Sequence, residues 1–249
     1  MIRVLVLISI TGFFVALVAL SSAVALGGPE LAARNWRWTS DWWFDHDHGV
    51  HRSSPTATRE LAWDGASELD VGIRAEVEYL QGEGPGTVTI SGPLRLVSQV
   101  KLDNGRLSYE DETRSRRRLT VRIVAPGVTR FQVNGDDRLD IRDYDQPELE
   151  IAASGASEVT ARGRAGNVRL ILSGDGEADL GQLEAEAVDA RISGDAEARL
   201  APKASADLRV SGSGEATLLT RPGRLNVETS GAGRVRTEES STAADGDSI

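Results

Sequence analysis

Val168-Arg169-Leu170-Ile171-Leu172-Ser173-Gly174-Asp175-Gly176-Glu177-Ala178-Asp179-Leu180 places apolar residues at every second position, turns at Ser-Gly, and alternates again. Twenty residues on, Val188-Asp189-Ala190-Arg191-Ile192-Ser193-Gly194-Asp195-Ala196-Glu197-Ala198-Arg199-Leu200 repeats the pattern. Ser-Gly also occurs at Ser154-Gly155, Ser211-Gly212 and Ser230-Gly231, so the intervals along the five copies are 19, 20, 18 and 19 residues. A period near twenty marks a repeat architecture. Period-two alternation marks a strand with one buried face, and glycine accommodates the positive φ of a tight turn. The reading is an all-β fold, a parallel β-solenoid with coils of about 19 residues and two strands per coil. Equivalent strands of successive coils pair at about 4.7–4.9 Å.

The positions before each Ser-Gly supply the core in sets: Leu149, Ile151 and Ala153, or Ala206, Leu208 and Val210. Those after it supply pairs such as Val159 and Ala161 or Ala216 and Leu218. A further copy reads Phe131, Val133, Asn134-Gly135, Leu139, Ile141, and an outlying one Val88, Ile90, Ser91-Gly92, Leu96. The stretch between them is an N-terminal insertion. It holds a β-hairpin marked by Asp103-Asn104-Gly105, and a strand at Leu119, Val121 and Ile123 ending at Ala125-Pro126-Gly127.

Outside the repeat, residues 1–26 read as a signal peptide or signal anchor: Arg3 is the only charge, an apolar run covers Val4 to Leu20, and Ala23-Val24-Ala25 matches a cleavage site. Residues 4–26 are also long enough to anchor the chain in the inner membrane. Either way the remainder is exported, to the periplasm or the outer cell surface. Residues 27–59 form a linker that holds Trp36, Trp38, Trp42 and Trp43, and residues 238–249 a polar, disordered tail. With no cysteine, disulfide and thiol chemistry are excluded. A net charge of −10 argues against nucleic acid or anionic lipid as a partner. Membrane contact is then confined to the N-terminal segment.

Arg59-Glu60-Leu61-Ala62-Trp63-Asp64-Gly65, Ser91-Gly92-Pro93, Ala125-Pro126 and the Ser-Gly ladder with Ser211-Gly212-Ser213-Gly214 together resemble the bacterial family "putative auto-transporter adhesin, head GIN domain". The resemblance spans residues 60–237 and implies a β-solenoid in exported or envelope proteins. It implies no catalytic residue. Ala196 stands where neighbouring repeats carry a second glycine, a departure expected to alter one turn only.

Two sets of residues are candidate metal ligands. His46, His48 and His51 lie with Asp45 and Asp47 in one heptapeptide, donors suited to zinc, nickel or copper. Glu158, Glu177, Glu197 and Glu215 each fall four residues after their repeat serine, so stacking is expected to form a carboxylate column that suits calcium or a cationic surface. Asp175 and Asp195 lie beside it, and Arg114, Arg116, Arg117 and Arg118 form a basic cluster. No cofactor is expected. A polysaccharide-active enzyme of the β-helix type would need a carboxylate acid/base pair. Against it, no aromatic residue follows Tyr144 and no histidine falls inside the repeat. The function expected is a non-catalytic structural or adhesive module with an unknown macromolecular or surface ligand. A cation-binding envelope protein is the alternative, and end-to-end self-association is expected at the exposed last coil.

Overall fold

The computed structural model describes residues 55–110 and 115–238. The leader, most of the linker, His46, His48, His51 and the tail beyond Glu238 lie outside the described residues. The repeat folds as its alternation requires. Strands β9 (Arg138–Gly155), β10 (Glu158–Gly174), β11 (Glu177–Gly194) and β12 (Glu197–Gly212) are successive coils in parallel register. The stack ends in β13 (Glu215–Leu218), β14 (Arg224–Gly231) and β15 (Arg234–Thr237). Ser154, Ser173, Ser193, Ser211 and Ser230 stand directly over one another, as do the glycines that follow them. The second bend of each coil keeps its ladder. It appears as a register shift between Thr160 and Arg162, and again between Leu180 and Ala185, so one long strand runs through what the sequence reads as a strand break.

The Ser-Gly turn shows why glycine recurs. Gly135, Gly155, Gly174, Gly194, Gly212 and Gly231 all have φ between 82° and 102°. A Cβ on Gly194 would sit 2.4 Å from the carbonyl oxygen of Gly174 in the coil below. That oxygen accepts the Asp195 amide at 2.9 Å. The turn therefore binds adjacent coils by a backbone hydrogen bond that a side chain would obstruct.

The early layers are stacked out of chain order. β2 (Glu68–Val71) and β3 (Ala75–Gln81) form a coil that pairs with β8 (Arg130–Gly135) and β9 on one side. On its other side lie β6 (Arg106–Tyr109) and β7 (Leu119–Ala125). The copy at Phe131–Ile141 joins the ladder, Asn134 over Ser154 and Gly135 over Gly155. The copy at Val88–Leu96 does not. Its strand β4 (Thr87–Pro93) is antiparallel to both β1 (Thr56–Ala62) and β7, and Ser91-Gly92 leads into a short helix α1 (Leu94–Val97) instead of a solenoid turn. The missing upstream coil is β2–β3, whose Leu69, Val71, Ala75 and Val77 are buried without a Ser-Gly to announce it. The expected hairpin is present: β5 (Val100–Asp103) pairs with β6 around Asn104 and Gly105, whose φ values are 49° and 73°. Paired structure begins at Thr56, inside the stretch read as linker.

The core is wide at the start and narrow at the end. Tyr79, Phe131 and Tyr144 are fully buried, and Tyr79 meets Phe131 edge-to-face with centroids 5.0 Å apart. The Tyr79 hydroxyl donates to Ala125 O at 2.8 Å, and burial pushes its pKa up to about 12. In later coils the same interior is filled by alanine, valine, leucine and isoleucine.

Candidate binding groove

A groove of about 750 Å³ runs along the stack where each coil enters its Ser-Gly strand. It is assembled by register. Leu149, Val168, Val188 and Ala206 are stacked equivalents, all buried, and they form its floor. On either side of each floor residue stand polar ones: Glu148 and Glu150, Asn167 and Arg169, Asp189, Ser205 and Asp207, and at the end Arg224 and Asn226. Period-two alternation with a twenty-residue repeat suffices to build this. Each coil contributes one apolar residue downward and its two neighbours to the walls, both polar except at Val188, where Ala187 stands opposite Asp189.

The charges in the groove are unequally satisfied. Arg130 bridges Glu150 and Glu68, both at 3.1 Å, joining three layers. Arg209 reaches Asp189 at 3.6 Å, Asp207 at 3.4 Å and Glu228 at 3.5 Å. Three of the groove's carboxylates are thereby neutralised within the fold. Arg169 and Arg224 have no ion-pair partner among the described residues. With the amide of Asn167 and the hydroxyl of Ser205, they leave a row of donors facing the groove, whereas the Asn226 amide donates to Asp207 Oδ2 at 3.4 Å. Among the described residues no aromatic ring lines it.

The glutamate column forms as read: Glu158, Glu177, Glu197 and Glu215 are stacked equivalents. What spacing did not reveal is its ends. Arg138 lies under Glu158 and bonds it (Nε to Oε2, 3.0 Å), and Arg234 lies over Glu215, which pairs with Arg236 at 2.8 Å. The outer two carboxylates are compensated, and the inner two have no cationic partner among the described residues. Among the described residues no three His, Cys, Asp or Glu side chains converge as a metal cage. Asp175 and Asp195 are exposed at turn tips, where their amides bond the glycine carbonyls below. In the basic cluster, Arg118 donates to the carbonyl of Asp136, while Arg114 is outside the described residues.

One polar residue escaped the sequence reading. Asp137 is buried at the turn between β8 and β9, and its Oδ1 accepts the Ala75 amide at 2.9 Å, tying that turn to the out-of-order β2–β3 coil. Burial lifts its pKa to about 6, opposed by that hydrogen bond and by Arg118 and Arg74. The available signal was an aspartate at the slot where later turns carry Ser157, Gly176, Ala196 and Gly214. Ala196 is itself fully buried in that slot without disturbing the ladder.

Fold and groove together define a parallel β-solenoid whose concave flank is built by repetition and carries no constellation of catalytic type among the described residues. The chain belongs to the family "putative auto-transporter adhesin, head GIN domain", whose model matches residues 67–222. It is similar in structure to an adhesin from Bacteroides fragilis NCTC 9343, with 20% identity, a TM-score of 0.62, and coverage of 76% of this chain and 100% of that one. It is also similar to an adhesin from Parabacteroides merdae ATCC 43184, at 12% identity and a TM-score of 0.50, covering 75% of this chain and 98% of that one. Both are described as adhesins only in prospect ("putative"), and at these identities they show the fold. A comparison with curated proteins finds no match.

Proposed function

We propose that this chain is an exported, non-catalytic adhesive or structural module of the cell envelope that holds an extended ligand along its lateral groove. The observation that carries the reading is the unequal satisfaction of the groove's charges. Three of its four acids, Glu150, Asp189 and Asp207, are neutralised by Arg130 and Arg209, while Arg169 and Arg224 face the groove with no ion-pair partner among the described residues. A polymer bearing carboxylates at intervals suits that row, because a guanidinium binds a carboxylate in bidentate fashion. The family assignment supports an exported setting, and the apolar run at residues 4–20 supports delivery by a signal peptide or anchor.

The test is binding of polygalacturonate, with neutral dextran as control, to the full chain and to Arg169→Ala. Retention of the acidic polymer alone, weakened about tenfold by the substitution and without release of shortened chains, is the expected result. Equal retention of both polymers, or none of either, overturns the ligand class. Release of unsaturated or reducing ends overturns the non-catalytic reading.

A further inference from the structure

We propose that the last coil docks against the last coil of a second copy of this chain through an antiparallel pair of β14 strands related by a two-fold axis. β14 pairs with β12 on one side and with nothing on the other among the described residues, so alternate N–H and C=O groups along Arg224–Gly231 face outward. Its inward-facing Leu225 and Val227 are 44% and 40% exposed, whereas their stacked equivalents Ala206 and Leu208 are 3% and 0% exposed. Among the described residues the end of the stack is thus an interior surface without its next layer.

Residues 239–249, Glu-Ser-Ser-Thr-Ala-Ala-Asp-Gly-Asp-Ser-Ile, have no apolar alternation with which to supply that layer. A second β14 does. Antiparallel pairing keeps inward residues opposite inward ones only in registers where opposed numbers sum to an even value. Of these, the register that sets Asn226 opposite Asn226 places Arg224 opposite Glu228 twice and Leu225 opposite Val227 twice. Moving one step toward the C-terminus sets Arg224 against Ser230. The next sets Glu228 against Glu228. Charge complementarity therefore selects the register centred on Asn226, and the contact is isologous, closing at two copies.

The chain contains no cysteine, which makes the two-fold directly readable. Residues opposite each other in an antiparallel pair have Cα atoms about 4.5–5.5 Å apart, within disulfide range. Full-length Asn226→Cys should give a disulfide-linked dimer on mild oxidation. Asp207→Cys, one coil inward on the same face, should stay monomeric, and so should Glu228→Cys, which faces Arg224. Without cross-linking, Arg224→Glu should weaken dimerisation about tenfold, and Arg224→Glu with Glu228→Arg should restore it. Cross-linking of Glu228→Cys but not Asn226→Cys overturns the register. A monomer in sedimentation at high concentration, with Asn226→Cys no more reactive than Asp207→Cys, overturns the proposal.

Discussion

The first layers of the stack and the last share the same two strand columns but end differently. At the N-terminal end both columns finish in antiparallel strands, β1 and β4 beyond β7 and the β5–β6 hairpin beyond β2, with Leu96 and Val97 of α1 buried behind them. The outermost strand, β1, presents Thr56, Thr58, Arg59 and Glu60 to solvent. That is how a sheet edge is made unattractive to another chain. At the C-terminal end β14 and β15 are ordinary coil strands that no further strand covers among the described residues. The lesson is that the repeat propagates itself but cannot terminate itself. Termination takes residues that break the period, and among the described residues these stand at one end only.

The difference should appear most sharply in the core. Phe131→Ala removes a fully buried ring from the wide end and should cost about 3–5 kcal/mol, seen as a large fall in the denaturant midpoint. Leu225→Ala at the open end removes a side chain already 44% exposed and should cost under about 1 kcal/mol in the monomer. Comparable losses would mean that the last coil is covered in solution.

The glycine ladder gives the next contrast. Gly194→Ala, at φ 94° with its Cβ 2.4 Å from a carbonyl oxygen between two full coils, should cost about 3 kcal/mol. Gly231→Ala meets the same carbonyl position at 2.8 Å, but in a last coil free to fray, and should cost about 1 kcal/mol. Denaturant titrations of both variants check this. If the two costs are equal, the terminal coil is as constrained as the interior ones.

Asp137 tests the out-of-order junction. Its pKa of about 6 lies above the ordinary 3.8, so on raising the pH the unfolded chain releases this proton first while the fold retains it. The contribution to stability is therefore greatest below about pH 4, falls as pH rises to about 6, and stays low above that. Asp137→Asn keeps an oxygen to accept the Ala75 amide and has no charge to bury. It should match the parent in acid and exceed it at neutral pH by about 1 kcal/mol, short of the full shift because solvent screens part of it. Thermal unfolding at both pH values reads the crossing. A difference that does not depend on pH would place the carboxylate in solvent.

These contrasts also trace what the sequence made visible. The regular coils were legible because one rule, a buried residue every second position with glycine every nineteen or so, acts locally and repeats. Register followed from it, so Glu158, Glu177, Glu197 and Glu215 could be stacked on paper, and so could the walls of the groove, although the groove itself went unread. The early layers obey long-range choices instead. Leu69 and Val71 carry the same alternation as Val88 and Ile90, and only the partner strand decides which run becomes a parallel coil and which an antiparallel cap. Ser91-Gly92 imitates the turn dipeptide but feeds α1. Nor does spacing disclose ion pairs such as Arg209 with Asp189, which depend on where long side chains reach across coils.

The glutamate column extends the comparison of middle and end to the surface, where effects are smallest. Glu177 has a glutamate on each side, Glu158 and Glu197, whereas Glu158 has Arg138 below it. Like charges opposed across strands destabilise and opposite ones stabilise by about 0.2–1 kcal/mol per pair. Glu177→Lys should therefore raise stability by about 0.5 kcal/mol, and Glu158→Lys, which sets a cation against Arg138, should lower it by a similar amount. Both effects should shrink in high salt. Calcium discriminates what the inner carboxylates do. If they are only hydrated, millimolar calcium leaves the melting temperature of the parent and of Glu177→Lys equally unmoved. If the column holds the ion, calcium raises the parent alone, because the lysine occupies the centre of the site with positive charge.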